Sequence, residues 1–234
     1  MSRHIHRAWL KPMASAFAAV LVGCGGGKAE VDGLWLGSNF GAAITTSGEL
    51  WGFYTEDAAA GGQKVTLLAG SAWTSSSALA GDVRAYTPTD SQEIGLFGHV
   101  VERQALAATI DVCCSADNKA RRNVAIAATY LPSSRDVPSL SWLAGRYSLT
   151  DNVLAAISPQ GSVVGNKNAC TFTGTVAPDT GGLSLFRLRL TFSQHADCPF
   201  PGETVPGVIV SAAQGTFIGL TDGRTGVVYL LPPQ

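Results

Sequence analysis

Phe186-Arg-Leu-Arg-Leu-Thr-Phe192 alternates strictly: Phe186, Leu188, Leu190 and Phe192 fall on one side of an extended chain, Arg187, Arg189 and Thr191 on the other. Successive side chains of a strand point to opposite faces, so the pattern marks an antiparallel strand with one buried face. Upstream, Cys170, Phe172, Gly174 and Val176 share one parity against Thr171, Thr173 and Thr175, which puts Cys170 on the apolar side. The first half repeats the pattern at Val65 and Leu67, at Leu106, Ala108, Ile110 and Val112, and at Val124, Ile126 and Tyr130. Turn signals such as Gly61-Gly62 and Asp117-Asn118 punctuate these runs, and no amphipathic helical pattern follows residue 24. Short alternating segments at regular spacing predict an all-β chain of antiparallel meanders, folded as barrels or sandwiches rather than as parallel βαβ units.

The two halves resemble each other. Ala42-Ala-Ile-Thr-Thr-Ser-Gly-Glu-Leu-Trp-Gly52 aligns with Ala155-Ala-Ile-Ser-Pro-Gln-Gly-Ser-Val-Val-Gly165, identical at five of eleven positions with an offset of 113 (155 minus 42). Just upstream, Gly33-Leu34-Trp35 matches Gly145-Arg146-Tyr147 after a one-residue gap. Duplication of one β-meander accounts for both matches. It predicts two tandem small domains, 33–132 and 140–234, joined by a linker at 133–139 between Pro132 and Leu140.

The Gly33-x-Trp35 opening, followed by an alternating hairpin up to Tyr54, resembles the first strands of calycin barrels, the group that holds lipocalins and avidins. The resemblance covers about twenty residues per copy, and Tyr147 replaces the tryptophan in the second. It implies a barrel whose floor the tryptophan packs and, by analogy, ligand binding.

The N-terminus carries Arg3, Arg7 and Lys11 and then the mostly apolar run Met13 to Val22. A bilayer-spanning helix needs about 20 apolar residues, an exported leader only about 7 to 15. The run therefore reads as a leader, residues 1–23. It closes with Leu21-Val22-Gly23-Cys24, which resembles the lipobox of bacterial lipoproteins and implies acylation of Cys24 as the first mature residue. Gly25 after that cysteine, rather than Asp, implies sorting to the outer membrane of a Gram-negative host. Several acyl chains on one residue make a durable anchor, because each buried methylene contributes about 0.8 kcal/mol. Residues 24–32, with Gly25, Gly26 and Gly27, read as a flexible leash, and folded structure is expected from Gly33. The whole layout also resembles uncharacterised surface lipoproteins built from a leader, a glycine leash and small β-domains.

Of 16 Lys and Arg against 17 Asp and Glu, three basic residues leave with the leader, for a mature net charge of about −4. The densest basic cluster, Lys119, Arg121 and Arg122, is short and sits in a turn region, so nucleic acid is not an expected partner. Four cysteines follow Cys24 in a chain bound for an oxidising compartment. Cys170 and Cys198 flank one amphipathic strand, and their disulfide would close a loop of about 29 residues, stabilising by roughly 3.5 kcal/mol in the chain-entropy model. Cys113 and Cys114 are adjacent on an expected strand, and three states fit them: a strained vicinal disulfide, two thiols, or bonds elsewhere.

No nucleophile elbow, P-loop or HExxH helix is present. The mature chain has two histidines, His99 near Glu102 and His195 near Asp197, neither in a recognisable motif. Its carboxylate groupings, Glu56-Asp57, Asp90 with Glu93 and Asp111 with Asp117, read as solvated turn and strand-end residues. No catalytic residue, metal ligand or cofactor site is therefore assigned. Trp35, Trp51, Trp73 and Trp142 are first of all core residues, with Trp51 and Trp73 the ones that would mark a contact surface if exposed. The resulting expectation is a non-catalytic lipoprotein anchored in the outer membrane, a binding or envelope-assembly module whose partners are the membrane and envelope proteins. Two alternatives stand beside it. An envelope hydrolase acting on glycans would show a cleft joining two carboxylates or a histidine; a calycin-like carrier of a small apolar ligand would show an open apolar barrel interior.

Overall fold

A computed structural model describes residues 29–57, 63–112, 122–132, 138–149, 153–181, 183–212 and 215–231. Cys24, Cys113, Cys114, Asp117 and most of the expected linker lie outside them. The chain is all-β, in two eight-stranded antiparallel meanders. The first comprises β1 (Gly33–Leu36), β2 (Phe40–Ile44), β3 (Glu49–Asp57), β4 (Gln63–Ser75), β5 (Ala78–Tyr86), β6 (Ser91–Val101), β7 (Ala105–Val112) and β8 (Arg122–Leu131). It closes as a barrel by pairing β8 with β1, Tyr130 opposite Trp35.

A single helical turn, α1 (Leu140–Leu143), capped by the Ser139 hydroxyl, leads into the second meander. There β9 (Gly145–Ser148), β10 (Leu154–Ile157), β11 (Ser162–Lys167), β12 (Cys170–Pro178), β13 (Leu185–Phe192), β14 (Thr204–Ala212), β15 (Gly215–Thr221) and β16 (Gly226–Leu231) follow in the same order. This sheet curls around its own core, yet β9 and β16 remain its two edges.

The repeat seen in the sequence is one hairpin built twice. Gly33 lies opposite Ile44 and Trp35 opposite Ala42; Gly145 lies opposite Ile157 and Tyr147 opposite Ala155. In the turns, the Gly48 and Gly161 amides donate to Thr45 O and Ser158 O, each at 2.9 Å, and both glycines adopt a left-handed φ, 85° and 83°. A side chain there would be strained, which is why this position is glycine in both copies. The Thr45 and Ser158 hydroxyls each accept from the amide four residues on, at 3.0 Å. The opening aromatics are also equivalent, since Trp35 Nε1 donates to Val31 O at 2.8 Å and the Tyr147 hydroxyl to Leu143 O at 2.7 Å. Each aromatic ties its barrel to the carbonyl four residues before it.

Inside the first barrel Trp35, Phe40, Ile44, Leu50, Leu106 and Ile110 are all nearly fully buried and belong to one packed apolar core. In the second meander β13 alternates as expected: Phe186, Leu188, Leu190 and Phe192 are buried, Arg189 and Thr191 exposed. Arg187 departs from that pattern. It points away from its own core, but toward the other barrel.

The barrels share a third core. Leu34, Ala43, Trp51, Leu67 and Tyr86, on the outer face of the first, pack against Leu183, Leu185, Val208, Val210 and Phe217 of the second. Hence β2 is buried along its whole length, on both faces. Phe53 and Phe217 meet edge to face with centroids 5.4 Å apart. Two glycines permit the close approach, because a Cβ on Gly219 would come within 2.7 Å of Leu67 and one on Gly226 within 2.7 Å of the Tyr86 Cβ. Folded contacts also begin ahead of Gly33. The Ala29 amide donates to Ser76 O at 3.0 Å, Glu30 pairs with Arg103, and Val31 joins the first core. The end of the expected leash is thus held against the barrel by hydrogen bonds, an ion pair and apolar burial.

Candidate functional site

The second meander encloses a cavity of about 270 Å³. Its walls are apolar: Ile157, Val163, Phe172, Leu188, Leu190 and Ile209 along the sheet, with Tyr229 and Leu231 at one edge of the seam and Tyr147 at the other. Strand parity puts these side chains there, every second residue turning inward. Because β9 and β16 do not pair, the interior residues beside the seam, Tyr147, Tyr229 and Leu231, are only half-buried. Trp142 of α1 lines the same cavity and is 56% exposed.

One end of the cavity is closed by the loop between β13 and β14. Cys170 and Cys198 have their sulfurs at bonding distance, with Cα atoms 5.0 Å apart, and both are buried. The bond pins this loop over the barrel mouth, where Phe172, Phe192 and Phe200 form a run of tilted aromatic contacts at 5.5 to 5.6 Å. Cys170 and Pro199 are themselves part of the lining.

Polar groups on the lining are few and mostly engaged within the chain. The Tyr147 hydroxyl is committed to Leu143 O, and burial raises its pKa, so it stays a neutral phenol. Ser211 and Thr216 share a hydrogen bond at 3.0 Å. Among the described lining residues Lys167 is the one cation, and none is a carboxylate or a histidine. What the arrangement can do is shield an apolar molecule from water.

The other residues singled out in the sequence are scattered. His99 is exposed on the outer wall of the first barrel, and His195 sits in the disulfide loop with Nδ1 3.7 Å from Asp197 Oδ2, both half in solvent. Glu93 pairs with Arg84 at 2.8 Å, and the Asp90 carboxylate accepts from the Ser91 amide. Among the described residues no three His, Cys, Asp or Glu side chains are grouped as metal ligands would be. Trp51 is 8% exposed and taken up between the barrels, its Nε1 donating to Glu49 at 2.6 Å, so it offers nothing to an outside partner. Trp73 is 42% exposed.

Sequence reasoning did not find the cavity. Its lining residues read as ordinary core positions, and nothing local distinguishes an inward leucine that meets another side chain from one that meets empty space. Comparison with known protein families, with curated proteins and with solved structures finds no match.

Proposed function

We propose that the protein is a non-catalytic lipoprotein tethered to the outer membrane through Cys24, and that its second barrel holds a small apolar molecule or a single apolar chain. The observation that carries this reading is the contrast between two copies of one meander. The first closes around one packed apolar core, whereas the second has an unpaired seam and an apolar cavity. A volume of about 270 Å³ is just under the range of about 300 to 1,000 Å³ usual for small-molecule sites, which suits a compact ligand or one chain end. The engaged polar groups favour a neutral apolar occupant, since a polar one would lose its water without gaining partners.

The test is binding of the neutral apolar fluorophore N-phenyl-1-naphthylamine to the purified protein, together with organic extraction of whatever copurifies. Saturable one-to-one binding is expected, and Ala155→Trp, which fills the cavity from β10, should abolish it while the circular dichroism stays native. Binding that survives both this change and the companion Leu190→Trp would place the fluorophore elsewhere and refute the reading.

A further inference from the structure

The first barrel exposes three large apolar side chains, Trp73, Phe97 and Val101, 42 to 58% accessible, all toward the same end of its wall. Trp73 on β4 and Phe97 on β6 flank Ala80 of β5 in one cross-strand row, which continues through Thr109 and Ala125. The row nearer the hairpin turns is Ser75, Ala78, His99, Ala107 and Ala127. Neither row contains Asp, Glu, Lys or Arg. One row further along lies the exposed Asp82 with the part-buried Asp111, and past Val101 the β6–β7 turn carries the exposed Glu102 and Arg103, so the uncharged band is bounded by charge on both sides.

This end of the barrel is also where the chain arrives. The Thr74 hydroxyl, beside Trp73, donates to Ala29 O, and the Ala29 amide is bound to Ser76 in the β4–β5 turn. Cys24 precedes Ala29 by five residues, which span at most about 18 Å when fully extended. An acyl anchor on Cys24 would therefore hold the Trp73 end of the barrel at the headgroups.

We propose that this band is a membrane-docking surface, with Trp73, Phe97 and Val101 seated in the interfacial layer of the bilayer to which Cys24 is anchored. The inference rests on the lipid-tether reading. Trp73 suits the role chemically, because an indole combines an apolar body with an N–H that favours the headgroup level. Buried apolar area then adds to the anchor and sets the orientation of the protein on the membrane. The exposed Asp82 limits how deep the wall can sink, since a carboxylate carried into hydrocarbon loses its water.

The experiment uses the full lipidated protein in vesicles of phosphatidylethanolamine and phosphatidylglycerol, 3:1, with and without brominated acyl chains, in a Trp142→Phe background. Trp35 and Trp51 are buried and serve as internal references. Bromine is expected to quench Trp73 emission at least twofold; Trp73→Phe should remove the quenched component, and Phe97→Ser with Val101→Ser should at least halve the quenching. Intact mass determines separately whether Cys24 is acylated. An unmodified cysteine would defeat the tether reading and this proposal with it, whereas an acylated protein whose Trp73 is not quenched would overturn the docking surface alone. If Trp73→Ser instead disperses a dimer formed without lipid, the face mediates self-association and the proposal fails.

Discussion

Arg187 of the second barrel grips Glu49 of the first with both ends of its guanidinium, Nη1 to Oε1 and Nη2 to Oε2 at 2.7 Å each, while its Nε bonds Asp179 at 2.7 Å. The pair sits at the rim of the shared apolar core, and Trp51 adds a third donor to the same carboxylate. Glu49→Gln should lower the unfolding free energy by about 1 to 2 kcal/mol, the scale of a charged hydrogen bond discounted for a pair that water still reaches. A double-mutant cycle with Arg187→Met, read by chemical denaturation, measures the coupling.

The same contact has a defined pH dependence. The hydrogen bond from Arg187, against the opposing effect of burial and with help from Trp51, holds the Glu49 pKa below its ordinary value of 4.5. A carboxylate with a lowered folded pKa contributes stability that is whole above the unfolded value and is lost as pH falls through the folded one. The wild-type advantage over Glu49→Gln should be whole above the ordinary carboxylate range and be lost as pH falls below it. Thermal melts across that range would show it.

Gly226→Ala probes the approach of the two barrels. The added methyl would fall 2.7 Å from the Tyr86 Cβ and 2.9 Å from Leu67, neither of which has room to withdraw. The cost should be about 1 to 3 kcal/mol of overpacking. Hydrogen exchange should report it as lost protection on facing strands, with the interior of each barrel unchanged.

Reduction of the Cys170–Cys198 bond should loosen the mouth of the cavity. Cys198→Ser is expected to cost about 2 to 4 kcal/mol of stability. It should also speed release of N-phenyl-1-naphthylamine, measured by stopped-flow dilution, because the loop then covers the cavity without a covalent pin.

Tyr147→Phe removes the hydroxyl that holds Leu143 O at the seam, and Trp35→Phe removes its counterpart to Val31 O. Tyr147→Phe should cost about 1 to 2 kcal/mol, the penalty for leaving a shielded carbonyl unpaired, and Trp35→Phe more, because it also leaves a cavity in a buried core. Only the Tyr147 change should alter ligand binding, since Trp35 belongs to the closed barrel. Isothermal titration of both variants separates the two effects.

Much of the architecture is legible in short stretches of sequence. Strand parity at Phe186 to Phe192 depends only on neighbouring residues, and the repeated hairpin carries its own turn chemistry at Thr45 to Gly48 and Ser158 to Gly161. Cys170 falls on the apolar face for the same reason. Those features are local, so the amino-acid order by itself determined the all-β class, the two copies and the face on which Cys170 lies, while its pairing with Cys198 was an expectation that the tertiary structure met by bringing the two sulfurs together.

The tertiary structure alone decided everything that depends on distance. Trp51 and Trp73 are equally good contact residues in the sequence; the second barrel buries one and leaves the other bare. Arg187 alternates like a solvent-facing residue until Glu49, distant along the chain, is brought opposite it. Whether a ring of inward leucines fills a barrel or surrounds a cavity depends on whether its last strand reaches its first, as β8 does with β1 and β16 does not with β9. Closure of a sheet is a relation between its two ends, which no single stretch of residues contains.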